Sequence, residues 1–343
     1  RSAFQFGRYL VIILSSFYLQ YRANRRINMV NMFQSIRILF WCLHAIGLLS
    51  VEHGIVRGVS RFRPSDHARR KFGILFPLTL VVCGYLLYDR IFKFSSWTRI
   101  SILWMSVYVV YEVTLIEIFL VLTWQTHWKR KSLATLLNIL VENEQELYTF
   151  TGRRTSYRNV KILAMIVLVN GVLSYVAFHL CYISAYHETN RFFEVQFITC
   201  CFLYCNLAME CLLGFCSCLL LIQQNQMGRL MELTKDAATY GYGLRALQFE
   251  SSTCHGLWKL FFRLYNRFVY DVVVNLNSYF GLLVPGFCAY VCFASAAAML
   301  QFGGSAHMTI WQIVTAFLWS LGDLKKLVIL SMLSARSNKM VSK

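Results

Sequence analysis

The chain has 343 residues, of which 57% are apolar and only 15% are charged, and its mean hydropathy is +0.50. A soluble chain of this length would have about a quarter of its residues charged, so the composition argues against one or two soluble domains. Apolar stretches of roughly 18 or more residues, the length that the hydrocarbon core of a bilayer requires of a helix, recur along the chain. The sequence therefore predicts an all-α polytopic membrane protein.

The formal net charge of +18 is concentrated between the apolar stretches. Of the 34 Lys and Arg residues, 12 precede Phe72, seven lie in 127–161, six lie in 222–271 and five follow Asp323. The positive-inside bias therefore predicts a cytoplasmic N-terminus, two long cytoplasmic loops and a cytoplasmic C-terminal tail. No zinc-finger or RNA-binding signature accompanies these charges, so we expect no nucleic-acid partner.

The N-terminal part of the chain contains two weaker apolar stretches. The first, at 4–20, is followed by several arginines and has no small-residue cleavage site, which argues against a signal peptide. The second, at 36–50, lies within the basic region 32–71. This region predicts an amphipathic or half-inserted helix near the cytoplasmic surface, with its arginines toward anionic lipid headgroups.

Six longer apolar stretches predict the membrane spans. They cover about 72–88, 100–124, 160–186, 192–221, 272–302 and 309–333. The segment after the second span predicts an amphipathic helix that continues into the cytoplasm, because apolar residues recur there at helical spacing. These residues are Leu133, Leu136, Leu137, Leu140 and Val141. The segment 222–271 predicts a second helical cytoplasmic region, and 336–343 a cytoplasmic tail.

The cysteines and the catalytic motifs give no sign of an enzyme. Several cysteines cluster in the fourth span, but without the paired spacing of zinc modules, so packing is the favoured interpretation over a metal site. The chain has no GxSxG, P-loop or HExxH motif, and we predict no enzyme activity and no cofactor. A transporter would show inverted repeats, which the sequence lacks.

Four stretches in order resemble the insect gustatory receptor family. ILFWCLHAIGLLS resembles the family's N-terminal helix, and LATLLNILVENEQEL resembles its loop of leucine pairs that ends in acids. RLYNRFVYDVVVNLNSYFGLLV resembles the helix that enters the fifth span, and IWQIVTAFLWSLGDLKKLVILSMLSA resembles the sixth span with its early tryptophan. The resemblance covers roughly residues 32–335.

This resemblance implies an insect chemoreceptor-like helical bundle of seven helices with helical cytoplasmic extensions. Four subunits, identical or different, would form a ligand-gated, non-selective cation channel in the plasma membrane of a sensory neuron, with the seventh helix of each lining the pore. The family's signature in that helix is Thr-Tyr, five apolar residues, then Gln-Phe. That signature is absent after the sixth span, where the last residues are NKMVSK.

The N-terminal stretch RYLVIILSSF parallels this signature. Tyr9 is followed by five apolar residues and then by Ser15, Ser16 and Phe17, with Arg8 and the two serines as mismatches. One hypothesis is that residues 1–31 derive from a seventh-helix exon joined ahead of the receptor. The alternative is that any apolar helix with one tyrosine and one phenylalanine matches this pattern.

For a receptor, we expect a small organic ligand to bind in the outer half of the bundle. Aromatic and hydrogen-bonding residues are predicted there, and such residues suit a ligand pocket. They are Trp104, Tyr108, Tyr175, His179, Tyr182, Gln196, Thr199, Trp311, Gln312 and Thr315. Tyr175, His179 and Tyr182 share one helical face and are the preferred candidates. The same residue types also form ordinary interfacial belts.

Acidic residues within the predicted spans are costly, which makes each of them a candidate for a specific role. They are Glu112, Glu117, Glu210 and Asp323. Polar links between helices are the favoured interpretation over contact with ligand or ion. The absence of an acidic cluster in the outer halves favours an aromatic, apolar or bitter tastant over a sugar. The alternative functions are a small-solute transporter or an incomplete, non-conducting receptor subunit.

Overall fold

The computed structural model describes residues 30–56, 59–95, 102–152, 155–186, 192–244, 251–304, 321, 324–336 and 339. Helices contain 88% of these residues, which confirms the predicted predominance of α structure. The hypothesis about residues 1–31 falls on positions outside the described residues, apart from the first two residues of the first helix.

Two short strands separate the first helix from a succession of helices that forms the rest of the described chain. The elements are α1 Val30–Ala45, β1 Val51–Val56, β2 Val59–Pro64, α2 Asp66–Ser95, α3 Ile102–Trp128, α4 Arg130–Thr151, α5 Arg158–Tyr186, α6 Phe192–Leu244, α7 Ser251–Asn266, a π-helical segment Arg267–Val272, α8 Val273–Phe280 and α9 Leu283–Gly304. A further helical stretch, α10, covers 324–336.

The region 32–71 is not the single amphipathic or half-inserted helix that its sequence predicts. Helix α1 ends at Ala45, and β1 and β2 form an antiparallel hairpin with Val51 opposite Pro64 and Val56 opposite Val59. Neither VEHGIV nor VSRFRP has a strict alternation of apolar and polar residues, so local pattern does not predict the strands. Burial of Val51 and Phe62 in the apolar core stabilises the hairpin.

The hairpin is attached to α4 by one amide side chain. Asn138 accepts a hydrogen bond from the Phe62 backbone N–H at 2.9 Å and donates one to the Phe62 carbonyl at 2.9 Å. Arg61 adds an ion pair with Glu142 at 2.7 Å. Because Asn138 satisfies both backbone groups of Phe62, it continues the hairpin's hydrogen-bonding pattern onto the helix.

Helix α4 has the amphipathic character that its sequence predicts. Leu133, Leu136, Leu137 and Leu140 are fully buried, and Val141 is nearly so. Lys129 separates this helix from α3, and the helix ends at Thr151. The following Gly152 has a φ of +59°, the left-handed conformation that glycine adopts without strain. Thus α4 is a separate helix with an apolar face, packed on β2, on α6 and on α8.

The predicted fifth span, 272–302, is two helices and not one. Helices α8 and α9 meet at Gly281 and Leu282, and the helical stretch Trp258–Phe280 makes an angle of 45° with Leu283–Ala296. Pro285 lies in the first turn of α9, where its missing N–H costs no helical hydrogen bond. Gly281 and Pro285 therefore lower the free-energy cost of ending one helix and beginning another, and the chain bends at this point.

Helix α6 is far longer than the span predicted within it. Its 53 residues correspond to about 80 Å, against a hydrocarbon core of about 30 Å. Among the described residues, one helical stretch, Tyr204–Lys235, is long and apolar enough to cross a membrane, and 89% of its apolar window is buried. The bent pair at Gly281 also meets this criterion when its two parts are taken together. The arrangement of six spans stays a prediction.

Candidate functional site

The packing registers of the long helices decide which predicted ligand positions share a level. Helices α5 and α6 are antiparallel, since Asn170 contacts Glu210 and Cys218 contacts the Val160 carbonyl. By this register, Tyr182 of α5 lies level with Gln196 and Thr199 of α6, close to the end where α5 finishes and α6 begins.

Helix α3 runs parallel to α6 in the same bundle. Both helices are antiparallel to α8 and α9: Gln125 and Ile118 of α3 lie against Ser278 and Gly286, and Phe215 and Asn206 of α6 lie against Phe280 and Tyr290. The rings of Phe119 and Tyr204 are 5.8 Å apart. The first turns of α3, with Trp104 and Tyr108, are therefore at the same end as the first turns of α6. We call this end of the bundle the aromatic end.

Seven of the ten predicted ligand positions thus belong to helices whose backbones converge at the aromatic end. They are Trp104, Tyr108, Tyr175, His179, Tyr182, Gln196 and Thr199. The placement of their side chains is outside what the structure describes, and Trp311, Gln312 and Thr315 lie outside the described residues altogether. By these registers the seven backbone positions are spread along the bundle, from Trp104 near the start of α3 to Tyr175, which is level with Tyr204, over a rise of about 22 Å.

The opposite end contains a polar centre that the sequence did not reveal. Three buried glutamines of α6, Gln223, Gln224 and Gln226, each donate a side-chain amide hydrogen bond to a backbone carbonyl of a different element. The acceptors are the Phe268 carbonyl at 3.3 Å, the Leu333 carbonyl at 2.6 Å and the Leu140 carbonyl at 2.9 Å. We call these three residues the glutamine hub, and the end they occupy the hub end.

The glutamine hub connects α6 to the π-helical segment, to α10 and to α4. Between its members, Asn225 exchanges contacts with Asn159 at the start of α5 and donates to the Ser156 carbonyl at 3.3 Å. The run Gln223-Gln224-Asn225-Gln226 is the signal that sequence reasoning could have used. Four consecutive amides after a long apolar run are unusual in a helix that faces lipid, because each unpaired amide there is costly.

A carboxyl group extends this centre beside Gln226. Gln226 donates to the Tyr157 hydroxyl at 3.0 Å, and the Tyr157 hydroxyl donates to Glu144 Oε2 through a short hydrogen bond. Burial raises the pKa of Glu144, and the hydrogen bonds from Tyr157 and Thr155 oppose that shift without cancelling it. Burial, followed by the nearby Glu144 carboxylate, raises the pKa of Tyr157. The centre therefore favours a neutral tyrosine that donates to the carboxyl group.

One predicted intramembrane acid is part of a polar link between helices. Glu210 of α6 accepts a hydrogen bond from Asn170 Nδ2 of α5 at 2.7 Å and lies 3.8 Å from Lys326 Nζ of α10. Lys325 donates to Asn170 Oδ1 at 2.8 Å. This geometry agrees with the interpretation of Glu210 as a link between helices. Glu117 is exposed, and Asp323 lies outside the described residues.

The part of the chain that the structure describes offers no metal-binding geometry. No group of three His, Cys, Asp or Glu side chains there could hold a metal ion. Nine cysteines with described side chains are free thiols, and four of them, Cys205, Cys211, Cys216 and Cys218, are buried on α6. They serve there as small apolar packing residues.

Comparison with known proteins adds no assignment to this geometry. No protein family model matches the chain, and no curated protein matches it.

Proposed function

We propose that this chain is a subunit of an insect gustatory-type chemoreceptor, a ligand-gated and non-selective cation channel of the plasma membrane. The ligand would be a small organic tastant, aromatic, apolar or bitter and not a sugar. Four subunits would assemble around the conducting pathway. The family resemblance, carried by four ordered stretches between residues 32 and 335, is the origin of this proposal.

One observation carries the proposal furthest. Seven of the ten positions predicted for ligand binding belong to α3, α5 and α6, three helices that each have one terminus at the aromatic end. The hub end has the opposite character, with buried amides, ion pairs and amphipathic helices. This division is compatible with a receptor that admits ligand from outside and assembles through its cytoplasmic helices.

A second observation supports the membrane setting. Apolar side chains of α5 are exposed along one face at spacings of three and four residues, with no charged residue after Lys161 until beyond Val176. These residues are Ile162, Met165, Ile166, Val169, Val172, Leu173 and Val176. A continuous exposed apolar stripe about 21 Å long is costly in water and favourable in lipid.

The test is electrical. Cells expressing the full chain would be recorded under voltage clamp while aromatic, bitter and sugar compounds are applied in turn. The same recordings would be made with the chain joined at its C-terminus to a family seventh helix carrying the Thr-Tyr and Gln-Phe signature. Ligand-evoked cation current from either the unextended or the extended chain would support the receptor proposal. No current from either form, with both present at the cell surface, would contradict it.

Substitutions separate ligand binding from assembly. Tyr182→Ala in the extended chain is expected to raise the half-maximal ligand concentration about tenfold or more, through loss of about 1.4 kcal/mol of binding free energy. Val172→Ala on the exposed stripe of α5 is the matched control. Ligand uptake without current would favour the transporter alternative, and current only with a second receptor subunit would favour the non-conducting subunit.

A further inference from the structure

The surface where α2 begins and α3 ends combines three features that stand apart from the aromatic end. The two helices are antiparallel there, because the Phe72 ring stacks on His127 at 4.0 Å and the Phe76 ring lies 5.6 Å from Trp124. The surface is on the hub side of the bundle, since α3 leads directly into α4, whose Leu140 carbonyl accepts a hydrogen bond from Gln226. It is defined by Arg69, Arg70, Lys71, Phe72, Phe76, Trp124 and Trp128.

The first feature is an excess of positive charge. Between residues 59 and 76 there are five Lys or Arg residues and one acid, Asp66. Arg61 is engaged by Glu142, while Arg70 and Lys71 are exposed and form no ion pair or hydrogen bond within the described part of the chain. On α3 and α4, Lys129 and Lys131 are exposed next to this surface.

The positive charges of Arg69 and Arg130 both lie close to His127. Burial lowers the pKa of His127, and Arg130 and then Arg69 lower it further. Arg130 also donates to the Ser65 carbonyl at 3.4 Å, which holds the end of α3 beside the start of α2. The other acid nearby, Glu52, accepts a hydrogen bond from Ser65.

The second feature is a pair of exposed tryptophans beside the cations. Trp124 and Trp128 stack on each other with ring centroids 5.8 Å apart, and Trp128 is 69% exposed. An indole ring placed in this way has an apolar body and one N–H donor. Such rings prefer the boundary between lipid headgroups and acyl chains.

The third feature is an apolar stripe that starts one turn after Arg70. Ile74, Leu78, Val81, Tyr85 and Tyr88 are exposed at spacings of three and four residues along α2. They form a stripe of about 21 Å, which exceeds the roughly 15 Å thickness of one leaflet's hydrocarbon region. Arg70 occupies the same helical face at the head of this stripe.

We infer that this surface is a binding site for an anionic phospholipid of the inner leaflet. Arg70 and Lys71 contact the headgroup phosphate, the stacked tryptophans lie at the level of the glycerol backbone, and an acyl chain lies along Ile74, Leu78 and Val81. The positive charge of the site favours an anionic headgroup. Because the cations adjoin the two tryptophans and the apolar stripe, the site favours a lipid over a soluble anion. The inference rests on the membrane setting of the proposed function and not on ligand gating.

The experiment uses the full chain reconstituted in nanodiscs. Trp fluorescence would be titrated with brominated phosphatidylserine and, separately, with brominated phosphatidylcholine, since bromine quenches an indole that it contacts. We expect the phosphatidylserine to quench at a roughly tenfold lower mole fraction, and this preference to weaken at high salt. Trp128→Phe should remove much of the quenched signal.

Two double variants make the test specific. Arg70→Gln with Lys71→Gln is expected to reduce the preference for phosphatidylserine to near unity. Arg158→Gln with Lys161→Gln, which removes two exposed cations from the start of α5 at the same end of the bundle, should leave it unchanged. Size-exclusion profiles and thermal unfolding would verify that each variant folds.

Each outcome is decisive. Equal quenching by the two lipids, or an equal loss in both double variants, would overturn the lipid site and leave the channel proposal standing. A Trp128→Phe variant with unchanged quenching would overturn the placement of the lipid at this surface. Failure of the folded chain to enter nanodiscs would overturn the lipid site and the membrane proposal together.

Discussion

The side chain of Gln226 contacts residues from several different elements. It is fully buried, and its amide group contacts the Leu140 carbonyl, the Tyr157 hydroxyl and, at 4.0 Å, the Met32 sulfur. One side chain thereby connects α6 to α1, to α4 and to the segment that leads into α5. A residue with this many partners is expected to affect the assembly of the whole hub end.

Replacing Gln226 with leucine tests this role. Gln226→Leu retains the volume but removes the hydrogen bonds to α4 and to Tyr157, so the free energy of unfolding should fall by about 1–3 kcal/mol. Asn225→Ala, which removes a half-buried amide bonded to Asn159 and to the Ser156 carbonyl, should cost less, about 0.5–1 kcal/mol. Chemical denaturation of the detergent-solubilised chain would measure both. A larger loss in Asn225→Ala would contradict the hub.

The carboxyl group of Glu144 predicts a pH dependence of stability. Its pKa is raised in the folded chain, so folding favours the protonated form. The resulting stabilisation is complete below the ordinary value of about 4.5 and is lost as pH rises through the raised value. Relative to Glu144→Gln, the unaltered chain should therefore become less stable with rising pH across that interval.

Thermal unfolding of both chains from about pH 4 to pH 8 would measure this difference. Tyr157→Phe provides a second check, because loss of its hydrogen bond should raise the pKa of Glu144 further and move the transition to higher pH. A stability difference that grows in favour of the unaltered chain with rising pH would show that the sign is wrong.

Between elements, the close approach of α5 and α6 depends on a missing side chain. A Cβ atom on Gly214 would lie 2.4 Å from Val167 Cγ1 and 2.8 Å from its Cγ2. Small residues at such contacts let helix backbones approach closely, which is a common device in membrane bundles. Gly228, on the same helix, has open space around the equivalent position.

Gly214→Ala and Gly228→Ala therefore form a matched pair. We expect Gly214→Ala to lower the free energy of unfolding by about 1–3 kcal/mol, because Val167 must move. Gly228→Ala should be neutral or stabilising by up to about 1 kcal/mol, as alanine favours helix. Denaturation of the two variants under identical conditions would decide, and equal effects would contradict the close contact.

The link between α6 and α10 depends on charge. Glu210 and Lys326 are 3.8 Å apart and largely buried, with Asn170 completing the link. Glu210→Gln keeps an acceptor for Asn170 but removes the charge, so we expect a loss of about 1–3 kcal/mol. A double-mutant cycle with Lys326→Gln should show the two changes to be less than additive. Additive losses would show that the pair does not interact, and Glu117→Gln on the exposed face of α3 is the control.

Across the whole molecule, the exposed apolar stripe of α5 predicts a membrane environment. Val172 is 55% exposed, so an arginine there can be accommodated without disturbing the core. In a bilayer, Val172→Arg should cost about 2.5–3.5 kcal/mol of insertion free energy and reduce the fraction that resists alkaline extraction from membranes. Glu232→Arg, at an exposed position of α6 beyond the hub, should leave extraction unchanged. An unaltered membrane fraction in Val172→Arg would argue against lipid contact at this face.

Local sequence was sufficient to predict the helical class, the positions of most long helices and the buried face of α4. These follow from composition and from apolar spacing at the helical period, which any window of residues reveals. The resemblance to gustatory receptors, and with it the choice of ligand positions, also came from sequence alone.

The hairpin, the bend at Gly281 and the two ends of the bundle emerged only from tertiary packing. The strands at 51–64 are stabilised by burial of Phe62 and by the amide of Asn138, 76 residues distant in the chain, which no local window contains. Gln223, Gln224 and Gln226 read as a polar interruption until packing supplies three carbonyls from other elements. The physical reason is that periodicity fixes which face of a helix is apolar, while register and partner depend on contacts between residues far apart in sequence.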